Sequence, residues 1–507
     1  MADRTTRPLE RDVLAAVLAG IAAVAGAFAV AGWSRDAFVV APVDAVVVEN
    51  TPAPLVTFAI ENLGSAGHAL HVGLSVAIVV AGLGAATLIA TRAGHAVGGL
   101  PLTLALTALL VFGGLFVPTG ATGPALVGAA SAVAVVGIAA VAVDGRPSVD
   151  VDVDGSTAAG GTDRGRRRLL ELAVATLGYA GLATLVGTRT GTEPEPVRRG
   201  LPDDGRIADL LALAETRTLP IAGLTGLLST NEEFYEVDIS TFDPDLDPGD
   251  WSLSITGQVA EEVRIDYDDL TAMDPEHRFV TLRCVGESLN GHKMDTALWT
   301  GVPIRSLVDR ADPSGRCGCV KVYAADGYYQ VFPVEALERG FLAYGMNGET
   351  LPRGHGRPAR LLVPGHWGEI NVKWVTEFEL LDEEQLGYWE ERGWHGTGPV
   401  NTVAKLHAVN HGDDGTVEVA GHAYAGTRGI QRVEVSTDGG DTWADAELSE
   451  PLPGEDVWRQ WRYEFAGDGT HEVVVRATDG TGTLQPEADS NPFPSGATGW
   501  VSRTVRA

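Results

Sequence analysis

Lysine is almost missing from this chain. Four occur in 507 residues, at Lys293, Lys321, Lys373 and Lys405, among 37 basic side chains set against 67 acidic ones. The formal net charge of −30 leaves no basic face for phosphate backbones, which excludes nucleic acid as a partner. An acidic, arginine-using surface suits a halophile, where salt screens self-repulsion, although arginine-rich codon usage gives the same bias. Cysteine is as scarce, with three residues, Cys284, Cys317 and Cys319. No cysteine cluster exists for an iron–sulfur centre, and no CxxCH for c-type haem.

Charge is also missing over long runs. Val13–Trp33 holds none in 21 residues, and His68–Ala90, Val97–Val117 and Ala121–Val143 read alike. Each exceeds the ~18 apolar residues that mark a bilayer-spanning helix. Leu169–Val186 is shorter and carries Glu171 near its start. Five spans are therefore expected within residues 1–188. Arg4, Arg7, Arg11, Arg92, Arg146, Arg164, Arg166, Arg167 and Arg168 fall in alternate loops, which predicts a cytoplasmic N-terminus and an extracytoplasmic location for everything after residue 189. Arg166-Arg167-Arg168 reads equally as a twin-arginine export signal or as a positive-inside anchor. The Gly/Ser/Thr-rich acidic stretch between the fourth and fifth spans reads as a cytoplasmic linker. His68 and His71 lie three apart on one helical face, as an interfacial pair or as haem ligands.

Residues 189–229 read as a linker. From 230 to 396, alternating runs such as Trp251–Gly257, Val263–Tyr267 and Arg278–Cys284 mix with helix-like pieces such as Val302–Ala311, which predicts an α+β domain. From 397 to 507 only short strands remain, spaced about ten residues apart and cut by Asp-Gly turns. That pattern predicts a β-sandwich, with Trp443, Trp458 and Trp461 as core or interface aromatics.

Cys284 ends a strand-like run in Thr281-Leu-Arg-Cys-Val-Gly-Glu-Ser-Leu-Asn-Gly291, with no partner at zinc or disulfide spacing. Several readings stand side by side: zinc shared with Cys317, Cys319 and a histidine, a disulfide, a nucleophile served by His292, a plain buried thiol, or a metal site in which an organic cofactor supplies the other ligands. His355-Gly-Arg-Pro-Ala-Arg360, then a buried strand and a glycine turn before Lys373, can present two cations and free N–H groups to one anion, such as a phosphate. The alternative is that Arg360 and Lys373 pair with the chain's own carboxylates.

At this point the chain resembles the sulfite-oxidase-type molybdopterin enzymes, in their membrane-associated bacterial and archaeal branch. The matching stretches are 231–240, 280–287, 297–311, 344–375, 421–448 and 475–485, in the family's order. The resemblance implies an N-terminal all-α transmembrane bundle, an α+β molybdopterin domain and an immunoglobulin-like C-terminal domain used for dimerisation. It implies that Cys284 is the thiolate on molybdenum, with Asn231, Tyr235 and Glu236 lining the pterin. His355 and Arg360 would contact the pterin and its phosphate, and Asn371, Val372 and Lys373 would close the phosphate end. Ala325 falls where some relatives carry a hydroxyl. Glu236-Val237-Asp238 and Glu287-Ser288-Leu289 stand where sulfite oxidases are basic. That difference favours a neutral substrate such as a sulfoxide or N-oxide over sulfite, with Lys293 or Arg283 as replacement cations if sulfite is the substrate. The implied cofactor is Mo-molybdopterin. The electron partner would be a quinone, a cytochrome or a small redox protein, with haem at His68/His71 as an internal alternative. A surface sensor or adhesion protein with an inactive enzyme domain is the reading from another class.

Overall fold

A computed structural model describes residues 6–63, 65–144, 161–190, 201, 205–314 and 316–506. Two compact units form: Met1–Thr51 with Ser65–Glu195 and Ser240–Asp243, and Pro52–Gly64 with Pro196–Ile239 and Pro244–Ala507. Most of the linker expected after the fourth span, residues 145–160, lies outside the described residues and its last residues open helix Gly161–Thr190; most of residues 191–204 and the side chains of Arg4, Arg7, Arg146, Arg164, Arg166 and His68 also lie outside.

The first unit holds helices Thr6–Ala31, Ser65–Ala93, Gly99–Thr119, Thr122–Asp144 and Gly161–Thr190. Four helical runs are long and apolar enough to cross a membrane: Glu10–Ala31, Ala69–Thr119, Thr122–Val141 and Leu170–Arg189. The second is 51 residues long and contains two of the helices, joined through the π-helical turn Gly94–Gly98. Glycine permits close helix approach: a Cβ at Gly20 would stand 2.5 Å from the Val80 carbonyl oxygen. Asp44, buried, binds His71 Nδ1 at 3.0 Å and accepts hydrogen bonds from Ser75 Oγ (2.8 Å) and Thr241 Oγ1 (2.6 Å). The stretch after Trp33, outside the expected spans, forms helix Val40–Asn50 in this unit and helix Ala53–Asn62 in the second unit, the latter entered through Pro52, whose missing N–H costs nothing at a helix start.

The second unit begins its strands at Ser252; residues 231–250, which read as partly strand-like, wind through the fold without one. One sheet runs, in spatial order, Val263–Asp266, Ser252–Gly257, Val375–Leu381, Cys319–Ala324 and Tyr329–Pro333, antiparallel except between Ser252–Gly257 and Val375–Leu381. Another runs Glu276–Arg283, Met294–Pro303, Phe341–Met346 and Glu349–Thr350, with Arg360–Leu362 also on Phe341–Met346. Helices Arg305–Ala311 and Val334–Glu338 complete the mixed architecture.

The last hundred residues form two antiparallel sheets. One contains Val403–Ala404, Ala408–His411, Thr416–Tyr424, Arg459–Ala466 and Glu447–Leu448; the other contains Ala444–Asp445, Ile430–Ser436, Thr470–Asp479 and Val501–Arg506. Val417, Val419 and Trp461 from the first meet Val433, Val473 and Val475 from the second in one core. Trp458 and Trp461 are buried as expected, while Trp443 stacks under Arg476 at 3.7 Å.

Strand Glu276–Arg283 positions the site. Its two-residue period divides its side chains. Val280 and Leu282 join Phe234 and Trp299 in one cluster. Thr281 faces the C-terminal sheets, where its Oγ1 accepts from Trp458 N (3.0 Å) and its carbonyl from Tyr424 Oη (3.1 Å). Continuing the alternation past the strand end turns Cys284 the same way as Leu282, into a cleft that both line.

Candidate active site

The cleft encloses about 230 Å³. Cys284 sits in its wall, and burial pushes its thiol up, with Lys293 pulling the other way. Its backbone N–H donates to the Lys293 carbonyl at 3.0 Å, which closes the loop 284–293.

Glu287 is the hub of that loop. Its carboxylate, 2% exposed, accepts from Arg283 Nε (2.8 Å), from Lys405 Nζ (2.6 and 2.7 Å) and from the Lys293 N–H (2.9 Å). Arg283 also donates to the Asn401 carbonyl (2.9 Å) and lies over Trp367. Both cations are fully buried. What the difference at Glu287 leaves is the lack of a cation there, without a repelling charge. The carboxylate is neutralised inside the protein and does not line the cleft. Arg283 is likewise committed to Glu287, so Lys293, exposed and lining the cleft, is the cation that acts most strongly on the thiol.

The residues of the expected anion cradle come together in the cleft lining. Arg360 donates to the carbonyls of His355 (3.2 Å) and Asn371 (3.0 Å), and its Nε has no partner among the described residues. Burial pulls this guanidinium down to about 10. Asn371 is locked by Val363 N–H (2.7 Å) and the Trp367 carbonyl (3.0 Å). Lys373 donates to the Gly354 carbonyl (2.6 Å) and pairs with Asp238, so the alternative of internal pairing holds for Lys373, while Arg360 makes no ion pair among the described residues. Gly356, at φ 102°, stands where a Cβ would come within 3.0 Å of the Arg360 and Lys373 Cβ atoms. A buried guanidinium nitrogen with no acceptor, beside glycine backbone, suits an anionic group such as a pterin phosphate.

Tyr235, His355, Arg360, Asn371, Val372, Lys373 and Cys284 share the cleft. Tyr235 is held by its N–H to Asp295 (2.9 Å), whose carboxyl burial pushes up to about 6. Asn231 and Glu236 stand behind the cleft lining: the Asn231 carbonyl meets His355 Nε2 at 3.0 Å, and Glu236 lies 3.7 Å from the same nitrogen. His292 stacks on His407 at 4.3 Å. Cys317 and Cys319 form a disulfide, and no group of three or more metal-ligating side chains occurs among the described residues, which removes the zinc reading.

Sequence reasoning missed four further residues of the cleft lining, Trp389, Trp394, Tyr328 and Glu369. Trp389 and Trp394 lie on the irregular stretch after the last strand of the mixed domain, where no periodicity marks them.

Residues 240–389 match the family described as an oxidoreductase molybdopterin binding domain, and residues 399–492 match the Mo-co oxidoreductase dimerisation domain. The chain is 27% identical over 304 residues to the mitochondrial sulfite oxidase of Rattus norvegicus, covering 48% of this chain and 55% of that protein. It is 33% identical over 178 residues to the sulfite oxidase of Arabidopsis thaliana, covering 29% and 45%. It is 25% identical over 308 residues to the NADH nitrate reductase of Solanum lycopersicum, covering 47% and 34%. The chain thus spans about half the length of the sulfite oxidases it matches.

Proposed function

We propose that this chain, which belongs to the sulfite-oxidase-type family of molybdopterin oxidoreductases, is a membrane-anchored reductase of small neutral oxygen donors such as sulfoxides or N-oxides. The observation that carries this reading is the lining of the cleft. Cys284 shares it with Arg360, whose Nε has no partner among the described residues, and with the aromatic side chains of Tyr328, Trp389 and Trp394, while Lys293 is the exposed cation in it.

Mo-molybdopterin is the cofactor, and the cradle residues fit its phosphate. Tyr235, His355 and Val372 would meet the pterin, with Asn231 and Glu236 supporting His355 from behind. Cys284 would give the one protein sulfur. Bound there, the group supplies a metal that changes by two electrons and exchanges an oxygen atom. The chain's residues hold that group, seat the substrate against the aromatic side chains and limit water in the cleft. In the overall reaction a sulfoxide takes up two electrons and two protons and leaves as the sulfide, its oxygen released as water. The electrons come from a quinol, a cytochrome or a small redox protein at the membrane.

Domain boundaries at 188, 229 and 396 are part of the same reading. The 1–188 bundle lies in the membrane and the catalytic domain on the extracytoplasmic side. The C-terminal domain is of immunoglobulin type and pairs two copies. Sulfite oxidation is the second reading: sulfite and water give sulfate, two protons and two electrons. Lys293, which makes no ion pair among the described residues, favours it as a cation for an anionic substrate.

The test uses full-length protein with stoichiometric molybdenum. Reduced viologen with sulfoxides or N-oxides is expected to support turnover. Turnover only with sulfite and ferricyanide contradicts the substrate, and molybdenum-free protein with no activity in either assay contradicts the enzyme.

A further inference from the structure

A carboxylate stands among the cations of the anion cradle. Asp238 lines the cleft together with Arg360 and Lys373, and it pairs directly with Lys373 Nζ. The two cations rise from neighbouring points, since a Cβ at Gly356 would stand 3.0 Å from the Cβ atoms of both. Burial pulls the Arg360 guanidinium down, and the charge of Asp238 acts against that pull, so the carboxylate is felt at both cations.

Asp238 belongs to the strand-free run before Ser252, which leans on the cradle through its acidic side chains. Glu236 lies 3.7 Å from His355 Nε2, and Asp245 pairs with Arg353 at 3.2 Å. The cations are fixed. Arg360 is 4% exposed, and Lys373 is held a second time by the Gly354 carbonyl at 2.6 Å. Asp238 is free to turn. Its neighbours Val237 and Glu236 are 43% and 50% exposed, so the run lies at the surface there, and a side-chain rotation takes the carboxylate into water.

A phosphate entering the cradle meets that carboxylate. Like charges this close repel, and most strongly where water is scarce. The phosphate also offers oxygens to Arg360 Nε, which the carboxylate leaves without a partner. A guanidinium and an ammonium together therefore favour the phosphate.

Resting on the cofactor reading above, we propose that Asp238 is a displaceable counter-ion of the cradle, which yields Lys373 to the cofactor's phosphate and turns outward. Cofactor binding is then an exchange of one anion for another at Lys373. Asp238 sets how tightly the phosphate is held, and Arg360 supplies the charge that Asp238 does not take.

Inorganic phosphate, titrated by calorimetry into cofactor-free full-length protein, reads this exchange without turnover. Asp238→Asn should lower the phosphate Kd about tenfold, the equivalent of one charge-assisted hydrogen bond made available at Lys373. In a Lys373→Met background the same substitution should lower it less than about threefold, because no ammonium remains to be released. Arg360→Met should raise the Kd with or without Asp238→Asn. Loaded Asp238→Asn protein should also keep more molybdopterin than wild type after dialysis. A Kd that ignores Asp238→Asn, or falls equally in both backgrounds, overturns the exchange and leaves Arg360 as the phosphate's ligand. Phosphate binding that ignores Arg360→Met, or no phosphate binding by either wild type or Asp238→Asn, overturns the cradle and the exchange together.

Discussion

Replacing Glu287 by leucine is expected to destabilise the catalytic unit by about 3–5 kcal/mol, the range for breaking a buried ion pair from one side. The magnitude follows from what stays behind. Arg283 and Lys405 are fully buried, and both lose the carboxylate that neutralises them. Burial already pulls Lys405 down to about 8 with Glu287 present, so it would lose its proton in the variant and leave its remaining bond to the Gly291 carbonyl (2.8 Å) as its support. The loop is affected too, because Glu287 accepts the Lys293 N–H and the Lys293 carbonyl accepts that of Cys284. Hydrogen exchange at strand Glu276–Arg283 in the full chain measures the loss. Replacing all three members by Leu and Met should recover much of it, since apolar residues of similar volume remove the buried charges together. A loss below about 1 kcal/mol in the single variant would contradict the hub assignment.

Arg360→Met should separate stability from cofactor retention. Without an anion, Arg360 carries a buried guanidinium whose Nε is unpaired. A methionine of similar reach removes that cost, so protein free of cofactor is expected to be as stable as wild type or more so. Retention of molybdopterin should fall by about 10–100-fold, the equivalent of one or two charge-assisted hydrogen bonds to a phosphate. Melting of cofactor-free protein and molybdenum content after dialysis give the two readouts. Equal retention by the two proteins would place the phosphate elsewhere.

Much of this site is legible in the sequence because its signals are local. The isolation of Cys284, the period of its strand, and the His355-to-Lys373 run with its glycines each sit within a few dozen residues. The apolar helices are legible from length alone. The pairing of Glu287 is not legible because its partner Lys405 is 118 residues away, and only the packing of the C-terminal sheets against strand Glu276–Arg283 joins them. The helices at 40–62 were hidden by Asp44 and Glu49, which look like loop charges until Asp44 is seen bonded to His71 and Ser75. Trp394 and Glu369 line one cleft from positions 25 residues apart, with no spacing rule to link them.

X-ray absorption at the molybdenum K-edge, on wild type and Cys284→Ser, tests the role of the cysteine most directly. Wild type should show a sulfur shell with one more scatterer than the variant, and the variant should keep its metal through the cofactor side of the cleft. An identical sulfur shell in both proteins, or wild type without molybdenum, would contradict the assignment of Cys284 as the protein's ligand.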